Sequence, residues 1–143
     1  MTKRFWGFTK TVRPTLVVAD DNEHCLNQVC GLLEKAFDVV GRASNGLACV
    51  EAVRRLSPAA AVIDVSMPGI NGIEAARRIT EVCPTVKVIM LSVYEDAVFI
   101  DAALAAGAAA YVAKLRAFDE LIPAVQRVLS GSVRNRVPRA VSF

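Results

Sequence analysis

The sequence predicts an α/β domain built as a doubly wound, five-stranded parallel sheet with helices on both faces. Three observations carry this reading. Short apolar runs rich in β-branched residues alternate with longer stretches of helical period, several of those runs are apolar throughout, and the breaks between them hold helix caps and stops. A parallel sheet covered on both faces has no solvent-facing side, so its central strands read as unbroken hydrophobic runs. The composition agrees: 54% of the 143 residues are hydrophobic but only 6% aromatic, which suits a layered core of Ala, Val, Leu and Ile.

Strands are expected at 15–19 (TLVVA), 39–43 (VVGRA), 60–64 (AAVID), 86–91 (VKVIML) and 109–113 (AAYVA). The first, third and fourth are nearly all apolar, as central strands should be. Helices are expected at about 23–35, 46–56, 72–82, 96–106 and 118–130. Asn22 can cap the first, Ser57-Pro58 stops the second, Cys83-Pro84 the third, Gly107 ends the fourth and Gly131 follows the fifth. The organisation predicted is one domain over 14–130, a basic N-terminal extension over 1–13, and a basic tail or start of a linker over 131–143.

The charge distribution narrows the function. Lys3, Arg4, Lys10 and Arg13 at one end, and Arg127, Arg134, Arg136 and Arg139 at the other, give the ends +8 without an acid. The other nine basic residues face all fourteen acids, so the body carries −5. A body of that sign argues against nucleic-acid binding, and the tails are too short to place a recognition helix, so no sequence-specific nucleic-acid binding by this chain alone is expected. No apolar run approaches the roughly 18–20 residues of a membrane span, and the N-terminus lacks a signal-peptide core, which predicts a cytoplasmic protein without a membrane partner. Four cysteines without a C-x-x-C pair, and one histidine, argue against a zinc site and for reduced, mostly buried thiols.

In a doubly wound sheet, ligands bind outside the carboxyl ends of the strands, where the strand order reverses. There the polar residues gather: Asp20 and Asp21 after strand one, Asp64 ending strand three, Ser92 after strand four and Lys114 after strand five. Three converging carboxylates repel one another unless a cation neutralises them. All-oxygen ligands with room for water and phosphate favour Mg²⁺, with Mn²⁺ as a substitute. Asp64 is then a nucleophile already ionised at neutral pH, Lys114 a cation opposite the metal and Ser92 a hydroxyl donor, the parts that phosphoryl transfer needs. Taken singly, an Asp-Asp pair reads as a turn and helix cap, a Lys as a solvated charge and a strand Tyr as core. Their joint placement at one sheet edge reverses that balance.

The stretches VVADDNEH, VIDVSMPGINGIEAARRI, VIMLSVYED and AGAAAYVAK resemble the receiver domains of bacterial two-component response regulators across roughly residues 14–130. LSVYED, the AL-x-AGA-x-x-Y stretch and the E-L-I-x-A-V-x-x-V-L-x-G ending resemble receivers of the nitrate-regulator and quorum-regulator type, which usually precede a helix-turn-helix. The resemblance implies the flavodoxin-like receiver fold, Asp20 and Asp21 as the acidic metal pair and Asp64 as the phosphorylated aspartate. It also implies Ser66 offering its backbone carbonyl to the metal, Ser92 as the switch hydroxyl, Lys114 as the conserved-type lysine, and Tyr111 as the aromatic that turns inward when the hydroxyl moves. Met67-Pro68 and Gly72 match the loop after the acceptor. Where many receivers place a proline after the lysine, this chain has Leu115-Arg116.

The function implied is a phosphorelay receiver rather than an enzyme: it assists only its own phosphorylation and dephosphorylation. The donor is a sensor histidine kinase or phosphotransfer protein, and the output is a surface around helix four, strand five and helix five that meets a partner or a second copy. Residues 131–143 cannot build a three-helix DNA-binding unit, so the chain is either a stand-alone receiver or the receiver portion of a DNA-binding transcriptional regulator. Two further readings stand against it. A non-phosphorylated pseudo-receiver is opposed by the intact acidic trio, Ser92 and Lys114, and a flavin or nucleotide enzyme by the lack of a Gly-rich loop after strand one.

Overall fold

The computed structural model describes residues 12–131, together with the backbone of residues 3–5 and 8–10. The latter form two short antiparallel strands, β1 (Lys3–Phe5) and β2 (Phe8–Lys10), paired with Lys3 opposite Lys10. A strand pair was not expected in the basic N-terminal extension. The C-terminal tail predicted from 131 onward lies outside the described residues beyond Gly131.

The body alternates strand and helix: β3 (Thr15–Ala19), α1 (Glu23–Leu33), β4 (Asp38–Ala43), α2 (Gly46–Leu56), β5 (Ala60–Asp64), α3 (Gly72–Val82), β6 (Lys87–Ser92), α4 (Ala97–Ala105), β7 (Ala110–Ala113) and α5 (Ala117–Ser130). The predicted elements differ from these by at most two residues at any end. One five-stranded sheet in the order β4-β3-β5-β6-β7 joins them, every pair parallel.

Period-two alternation explains why the central strands are apolar throughout. Leu16 and Val18 of β3, Ala60 and Val62 of β5, and Ile89 and Leu91 of β6 enter a core shared with α1 and α5. Val17 and Ala19, Ala61 and Ile63, and Val88 and Met90 point the other way, into a core shared with α2, α3 and α4. Each strand therefore contributes about 1.5–3 kcal/mol per large side chain to a layer on either side.

The chain turns from strand to helix with asparagines. Asn22, Asn45 and Asn71 each accept a hydrogen bond through Oδ1 from the backbone N–H three residues on, at 2.9, 2.8 and 2.9 Å, capping α1, α2 and α3. Ser57 ends α2 in the left-handed region at φ 46°. Gly107 and Gly131, at φ 107° and 78°, take that conformation beyond α4 and α5 without steric cost. Strand order reverses between β3 and β5, so the crevice for a ligand opens where those two strands end. Among the described residues, no helix is long and apolar enough to cross a membrane.

Candidate functional site

Asp20 and Asp21 follow the last residue of β3, and Asp64 is the last residue of β5, so the parallel register of neighbouring strands sets the carboxylates side by side. Asp20 is 2% exposed and Asp64 6% exposed, whereas Asp21 faces solvent. One carboxylate oxygen from each can be chosen so that all three lie within 4.8 Å of one another. Asp20 is occupied at both ends: Oδ1 accepts the N–H of Asn22 at 2.9 Å, and Oδ2 accepts from Lys114 Nζ at 2.8 Å. Lys114, in the 3₁₀ turn that follows β7, also stands 3.5 Å from Asp64 Oδ2. All four predicted charged residues therefore converge.

One ammonium does not balance three carboxylates. Burial pushes the Asp64 carboxyl up to about 6; the charge of Lys114 opposes that shift and Asp20 adds to it, while the Ser66 N–H and the Lys114 hydrogen bond stabilise the carboxylate. For Lys114, burial alone would lower the pKa, but its hydrogen bond to Asp20 and the charges of Asp64 and Asp20 raise it above the ordinary value. A partly dry carboxylate cluster with surplus negative charge and no His or Cys in the group fits a hard divalent cation such as Mg²⁺.

Ser92 closes β6 fully buried, and its Oγ accepts the N–H of Tyr94 at 3.0 Å. Ser66 lies in the exposed loop after Asp64. Tyr111 was expected to move between an outward and an inward position, and the structure holds it inward: the ring is fully buried in the α2–α4 core and its hydroxyl donates to the carbonyl of Tyr94 at 2.7 Å. Burial raises its pKa, with a hydrogen bond to Ser92 opposing. A turned-out Tyr111 would have to give up both the packing and that hydrogen bond.

Several neighbours of the site were not anticipated from the sequence. Phe99 of α4 stacks on Tyr94 with ring centroids 4.4 Å apart and planes 17° off parallel. Arg116, two residues after Lys114, pairs with Glu95 of the β6–α4 loop at 2.6 Å and with Glu120 at 3.7 Å. A groove of about 300 Å³ runs between α1 and α5, lined by Cys25, Val29, Leu32, Lys114 and the 76% exposed Phe118 among others. The Tyr94–Phe99 stack and the Arg116–Glu120 pair join residues five and four apart, whereas the Arg116–Glu95 pair and the α1–α5 groove join elements brought together only by the sheet, which no local pattern announces.

Comparison with known proteins agrees with the geometry. Residues 16–126 match the model of the response regulator receiver domain. The chain is 33% identical over 118 residues to the response regulator GacA of Pseudomonas aeruginosa, covering 81% of this chain and 55% of that protein. It is 36% identical over 118 residues to the response regulator UvrY of Escherichia coli, covering 81% and 54%. It thus spans about half the length of these relatives. Among solved structures, the signal receiver domain of the putative response regulator NarL from Mycobacterium tuberculosis superposes with a TM-score of 0.81 at 27% identity, over 85% of this chain and 99% of that one. The chain therefore belongs to the response regulator receiver domain family, the family its motifs resemble.

Proposed function

We propose that this receiver takes a phosphoryl group on Asp64 from a phosphohistidine of a sensor kinase or phosphotransfer protein and thereby switches a protein-binding surface. The observation that carries the reading is the buried Asp64 carboxylate held between Asp20, Asp21 and Lys114 at the reversal point of the sheet. Asp21, Asp64 and the Ser66 carbonyl would hold Mg²⁺, or Mn²⁺ in its place, directly, and Asp20 would hold it through a water. When bound, the ion neutralises charge on the phosphoryl oxygens.

The residues divide the remaining work. A carboxylate oxygen of Asp64 attacks phosphorus, the P–N bond of the donor breaks, and the imidazole leaves with the electron pair as an acyl phosphate forms. Lys114 offsets charge on one phosphoryl oxygen, and the Ser92 hydroxyl donates to another. The output surface comprises α4, β7 and α5. In support, α4 reads AVFIDAALA yet buries only Ile100 and Ala103, leaving Val98 73% exposed, and Leu115 beyond β7 is 83% exposed. The protein acts in the cytoplasm, where such kinases place their donor histidines, and binds no specific nucleic-acid sequence through this chain alone. A second reading, that this is the receiver portion of a longer transcriptional regulator, is favoured by the half-length match to its relatives.

Incubation with Mg²⁺ and acetyl phosphate tests the proposal: one acid-stable, base-labile phosphoryl group appears by intact mass, and a chain that stays unlabelled removes the reading. The engagement of Asp20 with Lys114 and Asn22 leaves Asp21 as the direct metal ligand. Asp20→Ala should weaken Mg²⁺ binding about tenfold, as loss of an outer-sphere group does, and Asp21→Ala more than that. Calorimetric titration checks the order; equal affinities across wild type and both variants exclude the metal site. Neither Ser66 nor Tyr94 is an acid or amide able to orient water, so the acyl phosphate should persist for minutes or longer, as a time course of the labelled fraction would show.

A further inference from the structure

We infer that Gly46, the first residue of α2, is a positioning residue for the acceptor loop: its bare backbone seats Ile70 and so fixes where Ser66 presents its peptide groups to Asp64 and the metal. This inference rests on the Mg²⁺ reading above and adds to the site a residue that supplies no ligand. Loop 65–71 joins the acceptor strand to α3. Its base is closed, because the N–H of Gly72 donates to the carbonyl of Val65 at 2.8 Å and the backbone of Gly72 lies against that of Asp64. The N–H of Ser66, just inside that base, donates to the Asp64 carboxylate, and its carbonyl is the proposed metal ligand. Beyond Ser66 the loop runs out over the exposed Pro68 and Gly69 before it returns to Asn71, the cap of α3.

Ile70 is where the outer half of that loop meets α2. A Cβ built on Gly46 would lie 2.4 Å from the carbonyl oxygen of Ile70, 2.5 Å from its Cγ1 and 3.2 Å from its carbonyl carbon. The half-buried Ile70 therefore rests directly on the backbone of a buried glycine, closer than any other residue type would allow. Gly46 is held firmly from its own side. The Asn45 side chain accepts the N–H of Ala48 and its carbonyl accepts that of Cys49, while Cys49 and Val53 are fully buried and anchor the turns that follow. Backbone conformation does not call for the glycine, since its φ lies outside the left-handed region. Within a helix alanine is favoured over glycine, so local structure prefers a side chain here and the contact with Ile70 opposes one. Met67, between Ser66 and Ile70, is buried in the same core as Cys49 and Val53, so the loop is tied to α2 at two points. A methyl group at position 46 would push Ile70 outward, and with the base of the loop fixed at Val65 and Gly72 the residues between them, Ser66 included, must take up the shift.

The test measures Mg²⁺ affinity of the full chain by calorimetric titration, and stability by urea unfolding in EDTA, in wild type, Gly46→Ala, Ile70→Ala, the double variant and Ala48→Gly. Gly46→Ala should weaken Mg²⁺ binding about tenfold, the lower end of what losing a group behind the metal ligands costs. Ile70→Ala removes the side chain that rests on the glycine and should weaken binding in the same direction. The double variant should lose less than the two single losses combined, since both act through one contact. Ala48→Gly, exposed in the first turn of α2, is the control: it lowers the urea midpoint through helix propensity but should leave the affinity unchanged, which separates positioning of the loop from weakening of the helix. Wild-type affinity in Gly46→Ala, additive losses in the double variant, or an equal loss in Ala48→Gly overturns the inference. Should Gly46→Ala not fold, Ile70→Ala set against Ala48→Gly carries the test with the same expectation. If wild type itself binds no Mg²⁺, the metal reading falls, and this inference with it; a wild type and a Gly46→Ala chain that bind Mg²⁺ equally well sink the inference alone.

Discussion

Asp64→Asn should gain no phosphoryl group from acetyl phosphate and, without metal, should be more stable than wild type at neutral pH. The first half follows from the amide, which is no nucleophile toward phosphorus. The second follows from burial. The Asp64 carboxyl titrates at about 6 against an ordinary 3.8. Between those values the folded chain binds more protons than the unfolded one, so the group's contribution to stability is complete below about pH 4 and is lost as the pH rises through about 6. At pH 7 the ionised side chain is a net cost on the order of 2 kcal/mol, which an uncharged group of the same shape does not incur. Lys114 keeps Asp20 as its partner at 2.8 Å in the variant, so no cation is stranded. Urea unfolding in EDTA at several pH values checks this. The gap between variant and wild type should be small near pH 4 and full by pH 7; a gap independent of pH would show that burial of the charge is not the cause. Undiminished labelling of the variant would remove Asp64 as the acceptor.

How much of this was legible in the sequence depended on how local the determining physics is. TLVVA and AAVID become β3 and β5 at the residues expected because a strand buried on both faces must be apolar at every position, and the switch to helical period follows at once. The charged quartet was legible for the same reason, since parallel strands that end in acids deliver them to one edge. Tyr111 was readable as a residue but not as a conformer: its orientation depends on the Tyr94 carbonyl, seventeen residues away in a loop. The Phe99–Tyr94 stack and the Arg116–Glu95 pair are equally opaque, because loop geometry and side-chain direction are set by tertiary packing rather than by pattern. Asn45 and Asn71 could have been read: each is an asparagine directly before a helical run, the same signal that identified Asn22.

Gly72→Ala should be among the most damaging single substitutions available in this chain, although it adds one methyl group. Gly72 opens α3 directly behind the acceptor strand, with its N–H donating to the carbonyl of Val65 at 2.8 Å. A Cβ there would lie 2.0 Å from the carbonyl oxygen of Asp64 and 3.0 Å from the Cα of Val65. Both obstacles are backbone, so no rotamer change relieves the overlap; either α3 moves off the sheet or the end of β5 moves away from Lys114. The first route loses packing of Ala75, Ala76 and Ile79, all fully buried, and the second displaces the nucleophile. A loss of about 3 kcal/mol is expected, at the upper end for overpacking because the neighbours are rigid, together with a clear fall in the rate of labelling by acetyl phosphate. Gly31→Ala is the control. It lies on the exposed side of α1, a Cβ there meets nothing within 4 Å, and replacing a helical glycine should raise stability by roughly 0.8–1 kcal/mol. Urea denaturation of both variants separates the causes: opposite shifts of the midpoint are the expected result, and a Gly72→Ala chain as stable and as readily labelled as wild type would mean that the close approach of α3 to Asp64 is not what positions the acceptor.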